Sequence, residues 1–118
     1  MALSHLDFQQ ARIKQVLFKS RLRSVLYGVR EAEPELFSVA HSPLGEWIQT
    51  VVKARFGTSA QVRELERLLK QMLDKGQELA ALYQRGKIEE ARAGLEQIDG
   101  YSRRIELALQ SLERESGS

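Results

Sequence analysis

The 118-residue sequence predicts an all-α fold, an antiparallel four-helix bundle, on three observations. Two Pro and eight Gly leave long stretches without a strong helix breaker. Apolar residues recur at steps of three and four, the period of a half-buried helix. The links between most of these periodic stretches are short, and short links set sequential helices side by side.

The first helix is expected from about Ser4 to Tyr27 or Gly28, where a turn residue follows the last apolar position. At about 100° per residue, Phe8, Ala11, Phe18, Leu22, Val25, Leu26 and Val29 share one broad face. Gln15 falls inside that face. A buried Gln without partners costs about 1–3 kcal/mol, so the position invites a satisfied polar pair or a functional role, unless the side chain reaches water from the edge of the seam. A long irregular loop over residues 30–41 follows. Ser42 before Pro43 reads as an N-cap with Pro at the first helical position, opening a short helix that carries Leu44, Trp47, Ile48, Val51 and Val52 and ends near Gly57.

Thr58-Ser-Ala-Gln61 has capping-box spacing, and Val62, Leu65, Leu69, Leu73, Ala80 and Tyr83 mark the third helix, which stops near Gly86. In the last helix Ile88, Ala91, Leu95, Ile98, Ser102, Ile105, Leu109 and Leu112 form a bundle seam with one polar member. Residues 113–118 read as a fraying tail.

Composition narrows the function. With 42% hydrophobic and 29% charged residues the chain has apolar surface for one core, so residues 1–118 read as a single domain. No run approaches the roughly 18–20 apolar residues of a membrane span, and the start MALSHLDFQQAR lacks a secretory h-region; a cytoplasmic protein without a membrane partner is expected. The absence of Cys excludes disulfides, thiolate ligands and a Cys nucleophile. No His–carboxylate–hydroxyl grouping follows from spacing. Many Glu residues stand three or four positions from Lys or Arg, as in Glu66–Lys70 and Lys87–Glu90, and read as solvated pairs rather than catalytic acids. The expectation is a protein that is not an enzyme and uses no cofactor.

Two surfaces of the first helix invite partners. Leu6, Ile13, Leu17 and Tyr27 fall on a second side with Ser20 and Ser24 between them. One helix of a thin bundle cannot easily bury two apolar sides, so this side is expected to pair with another copy as a homodimer. Residues 1–30 also carry a net +5 against −3 for the remainder. Arg12, Lys19, Arg23 and Arg30 share a stripe that could meet phosphates, an acidic protein or a nucleotide, although no aromatic interleaving or Gly-rich phosphate loop accompanies it.

Three stretches resemble the chemoreceptor zinc-binding domain of bacterial chemoreceptors and diguanylate cyclases. Leu6-Asp-Phe-Gln-Gln-Ala-Arg-Ile-Lys-Gln-Val-Leu-Phe-Lys-Ser-Arg-Leu-Arg23 is similar to that family's opening helix, with its acidic-aromatic pair, His-x-x-Trp/Phe-Lys (Phe18 here) and Arg-Leu. Ser42-Pro-Leu-Gly-Glu-Trp-Ile48 resembles Cys-x-Leu-Gly-x-Trp-Ile, the most specific segment, through Leu44, Gly45 and Trp47. Leu65-Glu-Arg-Leu-Leu-Lys-Gln-Met-Leu-Asp-Lys-Gly76 matches the region of His-x-x-x-His, and Ser102 stands where the family tends to carry a small polar residue.

By this resemblance the family's ligand positions are Gln15, Ser42, Leu69 and Leu73, and every ligand is replaced. Zinc needs about four imidazole, thiolate or carboxylate donors, so no zinc is expected. Leu69 and Leu73, one turn apart, would fill the ion's space with hydrocarbon. Ser42 would serve as an N-cap, with Gln15 as a polar relic bonded to it. His5 starts a superficially similar His-x-x-Phe string, but its distance to Ser42 is ten residues too long; His5 and His41 read as exposed.

The resemblance implies a non-catalytic sensory module of chemotaxis or cyclic-di-GMP signalling. Having lost its metal input, it would act through dimerisation or docking to a protein partner or a missing output domain. Two alternatives are electrostatic binding of nucleic acid or nucleotide by the basic stripe, with nucleic acid the less expected partner, and sensing of another small ligand in the remodelled core.

Overall fold

A computed structural model describes residues 4–57 and 59–117; 83% of these described residues are helical, with no strand among them. Three long helices carry the architecture: α1 (His5–Leu26), α4 (Ala60–Gln84) and α6 (Leu95–Gly117). At about 1.5 Å per residue each runs roughly 33–38 Å, in a body 49 × 22 × 21 Å across. Between α1 and α4 lies one helical segment of three parts: α2 (Pro43–Trp47), a π-helical stretch (Ile48–Val52) and α3 (Lys53–Phe56), with helical backbone through both joins. The short α5 (Ile88–Ala93) precedes α6.

Local chemistry explains the ends. Ser4 caps α1 in a capping box: its hydroxyl accepts from Asp7 N, and its own N–H donates to the Asp7 carboxylate at 2.9 Å. Ser42 caps α2 by accepting from Gly45 N at 3.4 Å, with Pro43 at the first helical position. Ser59 caps α4 by accepting from Val62 N; Thr58, the expected start of that capping box, lies outside the described residues. Gly28 and Gly86 close α1 and α4 at φ +75° and +85°, a region open to Gly and strained for other residues.

The helices bury the faces that their periodicity requires. Phe8, Leu22, Leu26, Leu65, Leu69, Met72, Leu73, Ile98 and Ile105 are fully buried in one core with Leu44 and Ile48. Phe8 meets Trp47 edge-to-face at 5.7 Å, tying α1 to α2. The loop before α2 contains a 3-10 turn at Pro34–Phe37, whose Phe37 packs edge-on against Phe18. A Cβ on Gly76 would stand 2.4 Å from the Phe18 ring, so α1 approaches α4 over that glycine.

Several expectations need correction. Val29 lies beyond the end of α1, turned out by Gly28, and is exposed. The last helix is two helices, α5 and α6, parted at Gly94, where a Cβ would meet Leu79 Cδ2 at 2.2 Å. Ile88, the first member of the expected seam, is exposed on α5, while Ala91, Ile98, Ile105, Leu109 and Leu112 are buried. Residues 113–117 continue α6 rather than forming an irregular tail. Glu66 pairs with Lys53 of α3, and Lys70 pairs with Asp74, in place of the expected Glu66–Lys70 contact.

Candidate functional site

The four positions singled out by the resemblance are all buried: Gln15 on α1, Ser42 at the cap of α2, Leu69 and Leu73 on α4. Leu69 and Leu73 belong to the hydrophobic core. Gln15 is satisfied, but by a different partner from the one expected: its Oε1 accepts from Ser102 Oγ of α6 at 2.5 Å, not from Ser42. Ser42 is occupied by its capping role. Among the described residues no buried side-chain polar atom lacks a partner.

Zinc does not fit these residues. Two leucines offer no donor, and the Gln15 and Ser42 oxygens are already accepting hydrogen bonds. Among the described residues there is no group of three or more His, Asp or Glu side chains that could hold a metal ion. The hollow beside Ser42, lined by Phe18, Arg21, Leu36 and His41, has room of about 20 Å³, about enough for one water. His41 bonds Ser38 Oγ at 3.0 Å and is exposed.

Gly45 shows why the Leu44-Gly45-Glu46-Trp47 stretch needs its glycine. A Cβ there would lie 2.0 Å from the carbonyl oxygen of Val39, so the loop passes over α2 at a distance only hydrogen permits. Leu44 and Trp47 flank that contact and are buried.

Structure redistributes the basic stripe. Arg12 donates from Nε to Glu106 at 2.6 Å and from Nη2 to Glu113 at 3.0 Å, and Lys19 pairs with Asp99. His5 joins Glu113 at 2.5 Å. Steps of seven along α1 (5, 12, 19) thus meet steps of seven back along α6 (113, 106, 99), so these two helices run antiparallel in fixed register. The His5 hydrogen bond, and after it the Arg12 guanidinium, hold the Glu113 carboxyl below its ordinary range.

Arg23 lies over the Tyr27 ring at 5.6 Å. Arg92 also lies over that ring, at 4.1 Å, and donates to the Leu26 carbonyl at 2.8 Å, a cation on the C-terminus of α1 that sequence reasoning missed. Arg30 is exposed beyond α1 at a groove of about 450 Å³ shared with Val25, Glu31 and Tyr83. The four cations of the stripe therefore have different surroundings: Arg12 and Lys19 are paired with α6 carboxylates, Arg23 lies over Tyr27, and Arg30 is exposed beyond the helix.

The second side of α1 is where the sequence placed it. Leu6 is 62% exposed, Ile13 64% and Tyr27 48%, with Ser20 exposed and Leu17 and Ser24 half-buried. Val16, 56% exposed, adds to this side and was not foreseen. Leu6, Gln10, Ile13, Leu17, Ser20, Ser24 and Tyr27 follow alternating steps of four and three, the spacing of a coiled-coil seam, and none is charged. In a chain with 29% charged residues, this outward strip of α1 carries none.

No helix among the described residues is long and apolar enough to cross a membrane. Comparisons with protein-family models, curated proteins and solved structures returned no match.

Proposed function

We propose that this chain is a non-catalytic cytoplasmic signalling module that works as a homodimer, with α1 as the subunit contact. The observation that carries the reading is the charge-free, heptad-spaced stripe on the outer side of α1. Its scaffold is read as an antiparallel four-helix bundle of α1, the 43–56 segment, α4 and α6, which the α1–α6 register supports. The likeness to the chemoreceptor zinc-binding domain, carried by the Leu44-Gly45-Glu46-Trp47 segment, supports a role in bacterial chemotaxis or cyclic-di-GMP signalling. In this chain packed hydrocarbon at Leu69 and Leu73 takes the metal's structural part, and output passes to a protein partner or an attached domain.

Sedimentation equilibrium tests the dimer. The protein is expected to sediment as a dimer at micromolar concentration, and Ile13→Glu with Leu17→Glu is expected to give a folded monomer with unchanged helical circular dichroism. A parent protein that is monomeric throughout the concentration range would overturn the proposal.

A further inference from the structure

We infer that the groove between the ends of α1 and α4 binds a small zwitterion, a free α-amino acid with an apolar side chain. The two helices run parallel here: Phe18 packs at Gly76 and, ten residues on, Gly28 lies at Tyr83. Both therefore end at one end of the bundle. Gly28 turns the chain at φ +75°, and a Cβ on it would stand 2.9 Å from the Tyr83 hydroxyl, so the turn and the close approach both require glycine. The Val29 and Arg30 N–H groups then donate back to the Ser24 carbonyl at 2.8 and 3.4 Å, which fixes the start of the loop. The hollow this leaves measures about 450 Å³, within the roughly 300–1,000 Å³ of small-molecule sites.

Its lining is unusual in what is left uncommitted. The donors are the Arg30 guanidinium and the Tyr83 hydroxyl; the acceptors are the Glu31 carboxylate and the Gln84 carboxamide oxygen. None of these four side chains makes a hydrogen bond or ion pair among the described residues. Arg30 and Glu31 are neighbours of opposite charge, yet they do not pair with each other. Apolar contact comes from Val25, which is buried, from half-buried Ala32, and from Val29, which at 78% is the most exposed large apolar side chain among the described residues.

One cation and one anion left open in the same hollow suit a ligand that carries both charges. The carboxylate of an amino acid takes the planar fork of Arg30 and the Tyr83 hydroxyl. Its ammonium donates to Glu31 and to the Gln84 oxygen, and the C-terminal end of α4 adds partial negative charge on that side. The apolar side chain then covers Val29 against Val25 and Ala32. A phosphate or another simple anion would satisfy Arg30 but be repelled by Glu31, and a simple cation would meet the reverse. The only α1 residue in the groove is Val25, buried on the core side of the helix, so the site does not depend on the dimer contact.

Calorimetry and amide chemical shifts of the full chain test the assignment, with leucine and phenylalanine as probes. At least one is expected to bind with a dissociation constant of about 1 mM or tighter, with shifts centred on Gly28 to Ala32 and on Tyr83 and Gln84. Leucinamide, which lacks the carboxylate, and 4-methylpentanoate, which lacks the ammonium, are each expected to bind at least about tenfold more weakly than leucine. Arg30→Gln is expected to erase the difference between leucine and leucinamide, and Glu31→Gln the difference between leucine and 4-methylpentanoate. Both residues are exposed, so the variants keep the fold and the parent's sedimentation.

No shift at these residues with either amino acid at about 20 mM would overturn the site. Equal affinity for leucine and its two half-charged analogues would overturn the zwitterion, since the groove would then be holding hydrocarbon alone. A monomer that binds leucine with the expected discrimination supports the site while removing the dimer.

Discussion

Replacing Leu73 by Ala probes the dry core of α4. Leu73 is wholly buried in α4, one turn after Leu69, which is 1% exposed. The substitution deletes three carbons, about 2.4 kcal/mol at about 0.8 kcal/mol per buried methylene. Incomplete collapse of the cavity adds to this, giving about 3–4 kcal/mol. A domain of 118 residues holds about 6–18 kcal/mol in all, so the variant stays folded with Tm lowered by about 12–16 °C.

Leu69→His with Leu73→His goes further. It places two imidazoles in hydrocarbon without partners, and because the two sites share one cavity their effects do not simply add. Loss of most of the folding free energy is expected. Urea unfolding followed by circular dichroism at neutral pH measures both variants. A loss below about 1 kcal/mol for Leu73→Ala would mean that the pocket collapses freely or is not packed, and the idea that hydrocarbon replaces a metal cross-link would fail.

Two further perturbations follow from the α1–α6 contact. Ser102→Ala leaves the buried Gln15 oxygen without its donor and is expected to cost about 1–3 kcal/mol, whereas Gln15→Leu combined with Ser102→Ala is expected to be near neutral; equal losses in both, read from urea midpoints, would show that the pair is not coupled. The Glu113 carboxyl is held low by His5 and then Arg12. Its contribution, expected to be below about 1 kcal/mol, is therefore full above the ordinary carboxylate value of about 4.3 and is lost as pH falls through the lowered folded value. Comparing the parent with Glu113→Gln across acid pH should show a stability gap that closes only below that ordinary value, and a gap that instead widens on acidification would contradict the sign.

Signals carried within a few residues were legible before any coordinates. Ser42-Pro43 reads as a helix start because the capping oxygen and the proline act on the next turn alone. Leu69 and Leu73 read as core because their period is strict. What sequence missed depends on how helices sit against each other. The partner of Gln15 is Ser102 rather than Ser42 because α6 passes nearer to it, which no local spacing reveals. Position 94, where α5 and α6 part, has to be glycine because Leu79, fifteen residues earlier, occupies the space a side chain would need. The seven-residue spacing of His5, Arg12 and Lys19 and that of Asp99, Glu106 and Glu113 are both present in the sequence, but only the antiparallel register of α1 and α6 turns the two ladders into pairs.

That register also changes what a basic helix means. A net +5 over residues 1–30 suggests a surface waiting for phosphate. Once Arg12 and Lys19 are neutralised by α6, and Arg23 lies on Tyr27, the remaining cations no longer share a stripe. Lys14 and Arg21 border the apolar seam on one side, and Arg30 lies past the helix end. A helix that addresses the core, an acidic ladder and open solvent through different strips will look weakly amphipathic in sequence, because three faces compete within one period. Of the six cations of residues 1–30, Arg12 and Lys19 are thus paired with carboxylates of α6, so the local excess of positive charge is partly balanced within the fold.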